Sequence, residues 1–278
     1  MKLKVEHLTR FEYSQPVFET TTEVRLQPAG GPDSPQQLLS FSVDVDPTSK
    51  VFSYQDFYGN TIHYFSVLPP HDFLEIRTAG IVETGPGDYP MDSKDTVNLF
   101  DFTSQCKYIV FSEAAQAYAA EIVREDMSLP RLELALKICR TINEGFKYQK
   151  GVTTVQSTVE QVLEQRTGVC QDFAHVMITV CRILGLPTRY VSGYVWGGNR
   201  EGDQEGASHA WCEVLDEENQ KWVGFDPTHS TLKVDERYIK IGHGRDYSDI
   251  PPVKGTYKGR ASESLTVKVF VTAPADPA

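Results

Sequence analysis

The chain has 278 residues, with 27 Lys and Arg against 38 Asp and Glu, a formal net charge of −11 and a pI near 5.1. That acidity argues against wholesale binding to nucleic acid or anionic membrane, both of which reward clustered cations. A content of 40% hydrophobic and 23% charged residues excludes a disordered chain. No apolar run reaches the roughly eighteen residues of a membrane-spanning helix. Met1–Tyr13 interleaves polar with apolar residues, unlike a secretory leader, so the cytoplasm is the expected location.

Up to about Val82 the pattern is that of strands. Lys2–Glu6 alternates polar and apolar, and Phe18–Gln27, Leu39–Val45, Lys50–Asp56, Thr61–Leu68 and Phe73–Val82 are rich in Val, Ile, Thr, Phe and Tyr. Turn signals separate them: Pro28–Pro32, Asp46-Pro47-Thr48, Tyr58-Gly59-Asn60 and Pro69-Pro70. Short strands at this spacing predict an antiparallel β-sandwich over 1–84. Gly85–Pro90 and the polar residues after it read as a linker over 85–98.

Helical periodicity follows. Helices are predicted over Phe111–Met127 and Arg131–Phe146, the second with Leu132, Ala135, Leu136, Cys139, Ile142 and Phe146 on one stripe. Ser157-Thr158-Val159-Glu160 has the form of a capping box and opens a third helix that stops at Gly168. A fourth runs from Cys170 to Gly185, with Pro187 just beyond. Arg189–Trp196, Ala207–Leu215 and Trp222–Asp226 read as strands, the last two joined by the polar turn Asp216–Gln220.

The five cysteines, Cys106, Cys139, Cys170, Cys181 and Cys212, are odd in number and form no C-x-x-C pair. Free thiols are therefore expected rather than a disulfide framework or a zinc ribbon. Cys139 and Cys181 fall on apolar stripes, and Cys212 sits in a strand; core packing is the expectation for all three. Cys170 differs, because Gly168 ends one helix and Cys170 opens the next. A thiol there faces the unpaired backbone N–H groups and the positive end of the helix dipole, which favour a thiolate. The same N–H groups can hold the oxyanion formed when sulfur attacks a carbonyl.

A nucleophilic cysteine requires a base, and the base an orienting group. His209 begins one strand and Asp226 ends its hairpin partner, so the two become cross-strand neighbours within hydrogen-bond reach. Taken in order, Gly168-Val169-Cys170-Gln171-Asp172-Phe173, His209-Ala210-Trp211 and Phe225-Asp226-Pro227-Thr228 resemble the transglutaminase-like superfamily. The opening strands, Tyr58-Gly59-Asn60, Arg189–Tyr194 and Gly244–Pro252 extend the resemblance over nearly the whole chain, toward the bacterial branch with a β-rich N-terminal region. The resemblance implies a papain-like cysteine-protease core with Cys170 as nucleophile, His209 as base and Asp226 as its orienting partner. Animal transglutaminases place an oxyanion-stabilising tryptophan well before the cysteine, whereas Trp196, Trp211 and Trp222 all follow Cys170. Tyr148 and Gln149 are the candidates for that role.

Around this triad, Gln171, Trp211, Tyr194 and His229 are candidates to line the cleft, Trp211 and Tyr194 being chiefly packing residues. Asp172 is expected to serve the helix start. His175, about 140° around the helix from Cys170, is expected to be structural. The expected architecture is α+β: the sandwich, the linker, and a transglutaminase-like catalytic domain over 99–278 with helices packed on an antiparallel sheet. Its tail, Gly242–Tyr247, is glycine-rich enough for a flap, with packing as the alternative. The expected chemistry is acyl transfer at an amide or peptide bond, with hydrolysis of a protein or peptide favoured and no metal or cofactor required. A transamidase using an amine acceptor and a non-catalytic binding scaffold are the alternatives.

Overall fold

The computed structural model describes residues 1–31, 34–91, 99–124, 129–151, 157–198 and 208–273. The first strand, β1 (Lys2–Val24), is one 23-residue strand where two separate ones were expected. Its first half pairs with β5 (His71–Glu83) on one side and β14 (Glu263–Thr272) on the other. Its second half changes neighbours, to β4 (Thr61–Val67) and β13 (Val253–Lys258). The register shifts fall around residues 12–21, where Pro16 has no N–H to donate and Glu19 takes a left-handed backbone (φ 49°). With β2 (Gln37–Asp46) and β3 (Phe52–Gln55) these strands make one connected seven-stranded sheet.

The expected sandwich is thereby corrected: the sheet curls at the β1 bend into a half-barrel. The curl closes over Tyr13, Val17, Val24, Leu26, Phe65 and Leu74, so one long strand supplies both walls of a core. The last two strands of the chain, β13 and β14, also return to this sheet. They cover an edge of β1 that would otherwise expose a row of unpaired backbone groups. Pro32, residues 92–98 of the linker, the end of the first predicted helix (125–128) and Ala207 lie outside the described residues.

The second sheet runs β12-β9-β10-β11-β6, made of Tyr238–Gly244, Thr188–Val195, Ser208–Asp216, Lys221–Phe225 and Asp88–Pro90. Part of the expected linker is thus an edge strand, β6, paired with β11. Four helices accompany the sheet among the described residues: α1 (Glu113–Val123), α2 (Arg131–Gly145), α3 (Val159–Gln165) and α4 (Cys170–Ile183). Helix α3 is capped by Thr158 and Gln161, one residue later than the predicted Ser157–Glu160 box. It ends at Arg166 in the left-handed conformation (φ 55°) before Gly168 is reached. Two short strands, β7 (Lys147–Tyr148) and β8 (Thr167–Gly168), run parallel just ahead of α4.

Helix α4 is buried from Asp172 to Arg182 and is the centre of the larger core, with Ala135, Ile138, Ile142, Val162, Cys212 and Phe225 packed around it. Its C-terminal end is pinned by Arg182, which donates to the carbonyls of Ser104, Thr188 and Arg245. Across the sheet, buried Glu213 of β10 accepts from Arg189 of β9 at 2.6 Å and from Lys240 of β12 at 2.7 and 2.9 Å. The glycine-rich tail is packed and does not form a flap. Tyr238–Gly244 is an almost fully buried strand, and Asp246, fully buried, accepts the Tyr108 and Ser248 N–H groups. The half-barrel and the second sheet meet along Leu3, Val5, Val82, Val269 and Val271 against Tyr194, Ile239 and Ile241.

Candidate active site

Cys170 is the first residue of α4, where a helix leaves its leading N–H groups without intrahelical partners. One turn in, Asp172 Oδ2 accepts the Val169 N–H at 2.8 Å and fixes the entry of the chain. The close approach at this corner requires Gly168: a Cβ there would lie 2.8 Å from Asp172 Oδ2 and 2.9 Å from Asp172 Cβ. Asp172 therefore has the capping place expected of it. On the other side of Gly168, its carbonyl accepts the Gln149 N–H at 2.9 Å, holding β7 beside the thiol.

Cys170 is half-buried and close enough to His209 to help raise its imidazole. The His209 Nε2 is 2.7 Å from Asp226 Oδ2. Register places Cys212 opposite Phe225, so His209 and Asp226 are diagonal neighbours just beyond the last paired residues of the hairpin. Asp226 is fully buried. Its Oδ2 also accepts from Tyr238 Oη (2.8 Å) and lies 2.6 Å from His229 Nδ1, while Oδ1 accepts the Thr228 N–H at 2.8 Å.

The electrostatics follow from this crowding. Burial alone would push the Asp226 carboxyl up, yet the charge and hydrogen bonds of His209, with those of His229, hold it far below the usual carboxylate range. Burial likewise disfavours the His209 cation, but Asp226, and after it Cys170, raise the imidazole from 6.5 to about 10. Burial pushes the Cys106 and Cys181 thiols up to about 12 and raises Cys139 and Cys212 as well. Cys139 and Cys212 point their S–H groups at the carbonyls of Leu232 and Ala174.

Of the residues proposed to line the cleft, Trp211 is buried with its ring 6.3 Å from that of His209, nearly parallel at 27°, and covers it from one side. His229 is half-exposed and joins the site through Asp226. Tyr148 is half-exposed and close enough to Cys170 for the sulfur's charge, after burial, to raise its hydroxyl. Gln171 follows the thiol in the chain and is half-buried, whereas Gln149, exposed, is held near it by its N–H bond to the Gly168 carbonyl. Tyr194 is elsewhere: its hydroxyl is 2.8 Å from His7 Nδ1 in the seam between the two sheets, because its position on β9 faces the half-barrel. His175 is buried, stacks on Tyr108 at 5.2 Å and accepts the Tyr247 N–H, the structural place expected for it. Tyr238 had no sequence signal, since it lies twelve residues past the aspartate in a stretch for which no element was predicted.

The ligating atoms of His209, Asp226 and His229 lie within 4.8 Å of one another and make up a group of three potential metal ligands among the described residues. Both imidazoles address the same carboxylate oxygen, an arrangement already satisfied by hydrogen bonds. No described helix is long and apolar enough to cross a membrane.

Comparison with known proteins places this geometry. Residues 116–227 match the transglutaminase-like superfamily, and residues 3–83 match the bacterial transglutaminase-like N-terminal region. An uncharacterized protein of Mycobacterium leprae is 31% identical over 284 residues, covering 98% of each chain. A protein-glutamine gamma-glutamyltransferase of Pseudomonas aeruginosa is 31% identical over 122 residues, 41% of this chain and 18% of that one. Among solved structures, a candidate cysteine protease from Cytophaga hutchinsonii superposes with a TM-score of 0.77 at 22% identity, covering 100% of this chain and 92% of that one. The fold is accordingly transglutaminase-like and papain-like, and the chain belongs to the transglutaminase-like superfamily, in its bacterial form with the β-rich N-terminal region.

Proposed function

We propose that the protein is a thiol-dependent acyl-transfer enzyme acting on amide bonds, with hydrolysis as its reaction. The observation that supports it above all others is the His209–Asp226 pair: one imidazole 2.7 Å from a fully buried carboxylate and near the thiol that opens α4. In this reading the Cys170 thiolate attacks the amide carbonyl, and the oxyanion is met by the free N–H groups at the start of α4. The C–S bond forms, the C–N bond breaks, and His209 gives its proton to the departing amine. Water then adds to the thioester, His209 takes its proton, and the C–S bond breaks to release acid and thiol. Asp226 holds the imidazole in its tautomer and offsets the cation. Trp211 excludes water from one side of the ring.

The similarity to a gamma-glutamyltransferase over 122 residues supports a second reading, in which an amine replaces water in the last step. Casein incubated with a biotinylated primary amine separates the two. Hydrolysis predicts released amine or new termini without biotin incorporation; transfer predicts incorporation. In either case Cys170→Ala lowers the rate by at least about 10³-fold, and iodoacetamide at neutral pH labels Cys170 ahead of the four other thiols. Turnover that survives the alanine, or a Cys170 that resists alkylation in the folded protein, would falsify thiol catalysis and favour a binding scaffold.

A further inference from the structure

Asp226 Oδ2 is met by side chains from three separate segments, and only one of them belongs to the triad. His209 reaches it from β10 at 2.7 Å, His229 from the loop after β11 at 2.6 Å, and Tyr238 from β12 at 2.8 Å. The backbone holds the other oxygen, through the Thr228 N–H on Oδ1 at 2.8 Å. An ionised carboxylate can only accept, so each of the three atoms on Oδ2 presents a hydrogen: His209 Nε2–H, His229 Nδ1–H and Tyr238 O–H. The one hydroxyl hydrogen being committed, Tyr238 Oη accepts from His229 Nδ1 across the remaining 3.3 Å. Two lone pairs on Oδ2 thus serve three donors, and the oxygen is pinned between them.

Both added donors are held by structure of their own. The loop that carries His229 closes back on the aspartate: Asp226 N–H donates to the Leu232 carbonyl and Leu232 N–H to that of His229, with Leu232 left-handed (φ 59°) at the turn. Asn143 of α2 pins the same loop through the Pro227 carbonyl at 3.1 Å. Tyr238 reaches the carboxylate across β9, the strand between β12 and β10. Gly193, the β9 residue opposite His209, makes this crossing possible, because a Cβ there would lie 2.5 Å from the Trp211 ring. The bare glycine leaves room for Trp211, which meets the Tyr238 ring at 5.3 Å, edge to face, and the His209 ring at 6.3 Å. His229 has 47% of its side chain exposed and so adds little to the core. Asp235, a second carboxylate within electrostatic reach of it, is bonded by Arg237 at 2.6 to 3.0 Å. Asp226 is the carboxylate that His229 serves.

We propose that Tyr238 and His229 are positioning residues: they pin Asp226 Oδ2 in line with His209 Nε2 and so fix the tautomer and tilt of the imidazole, acting through the carboxylate. The inference rests on the reading of His209 as partner of the Cys170 thiol, and the experiment separates the two. Tyr238→Phe removes one hydroxyl from a buried ring, and His229→Ala removes the exposed imidazole. Either donor alone still pins the oxygen. Each single variant should therefore slow iodoacetamide alkylation of Cys170 at neutral pH by about two- to fivefold, and the double variant by at least about threefold more than the product of the singles. His229→Asn places an amide N–H where Nδ1–H stood and should bring the rate back to within about twofold of wild type. In the Cys170→Ala background, where sulfur plays no part, the His209 Nε2–H proton seen by NMR should exchange faster with solvent in each single variant and vanish in the double. A purely structural role predicts lower melting temperatures with that proton intact. Such a result, or a His229→Asn protein no better than His229→Ala, would overturn the positioning role. Loss of the Nε2–H signal in the double variant, with Cys170 alkylation unchanged in the same variant carrying its thiol, would support the positioning of His209 and sink the thiol reading.

Discussion

Asp226 is where the candidate site is most tightly specified. A carboxylate with no solvent contact would be costly if unpaired, and here four groups converge on its two oxygens. His209 accordingly carries its proton well past neutrality, to about 10. Replacing Asp226 by Asn removes the charge while keeping the shape. Burial then acts with only the sulfur against it, and the His209 titration followed by NMR should drop from about 10 to near its ordinary 6.5 or lower. The linked stability has a definite sign. Because folding raises this imidazole, its contribution is fully present below pH 6.5 and is lost as the pH climbs through about 10. The melting-temperature gap between wild type and Asp226→Asn should therefore narrow across that window. A His209 titration unmoved by Asp226→Asn would contradict the relay.

At the scale of elements, the position of the sulfur depends on the corner between β8 and α4. Three backbone facts hold it: Arg166 ends α3 in the left-handed conformation, Gly168 passes against Asp172, and Asp172 caps the Val169 N–H. Gly168→Ala forces a Cβ to within 2.8 Å of the buried Asp172 carboxylate, which cannot retreat without leaving its cap. The expected cost is about 1–3 kcal/mol. It should be accompanied by altered alkylation kinetics at Cys170, because the loosened turn is the one that presents the thiol. A stability loss with alkylation unchanged would mean that the corner supports the fold without aiming the sulfur.

For the whole molecule, the seam between half-barrel and second sheet is closed by apolar side chains, with the buried polar pair His7 and Tyr194 among them. Burial lowers His7 from 6.5 to about 4 and does the same to His175 beneath the site. Between those pH values the unfolded chain binds protons that the folded one refuses, so stability falls as the pH drops from 6.5 toward about 4. His7→Gln removes one of these groups. Urea midpoints should show the wild type losing its advantage over His7→Gln across that interval; an advantage that grew with acid would show that the seam tolerates the imidazolium.

Local pattern was enough to read most elements and the order of the three motifs. Strand alternation, the helix-opening Cys170 and the hairpin linking His209 to Asp226 all depend on neighbours within a few turns or one tight turn, and period and spacing record those directly. Whatever depended on residues far apart in the chain was invisible. Tyr238 reaches Asp226 only because β12 is laid beside β9, and the buried Arg189–Glu213–Lys240 cluster forms only across three strands. The half-barrel, in place of a sandwich, arises from a bend in β1 whose value lies in gaining β4 and β13 as partners. Those choices are made by packing and by the demand that buried polar groups find partners, and neither is encoded in any short stretch of residues.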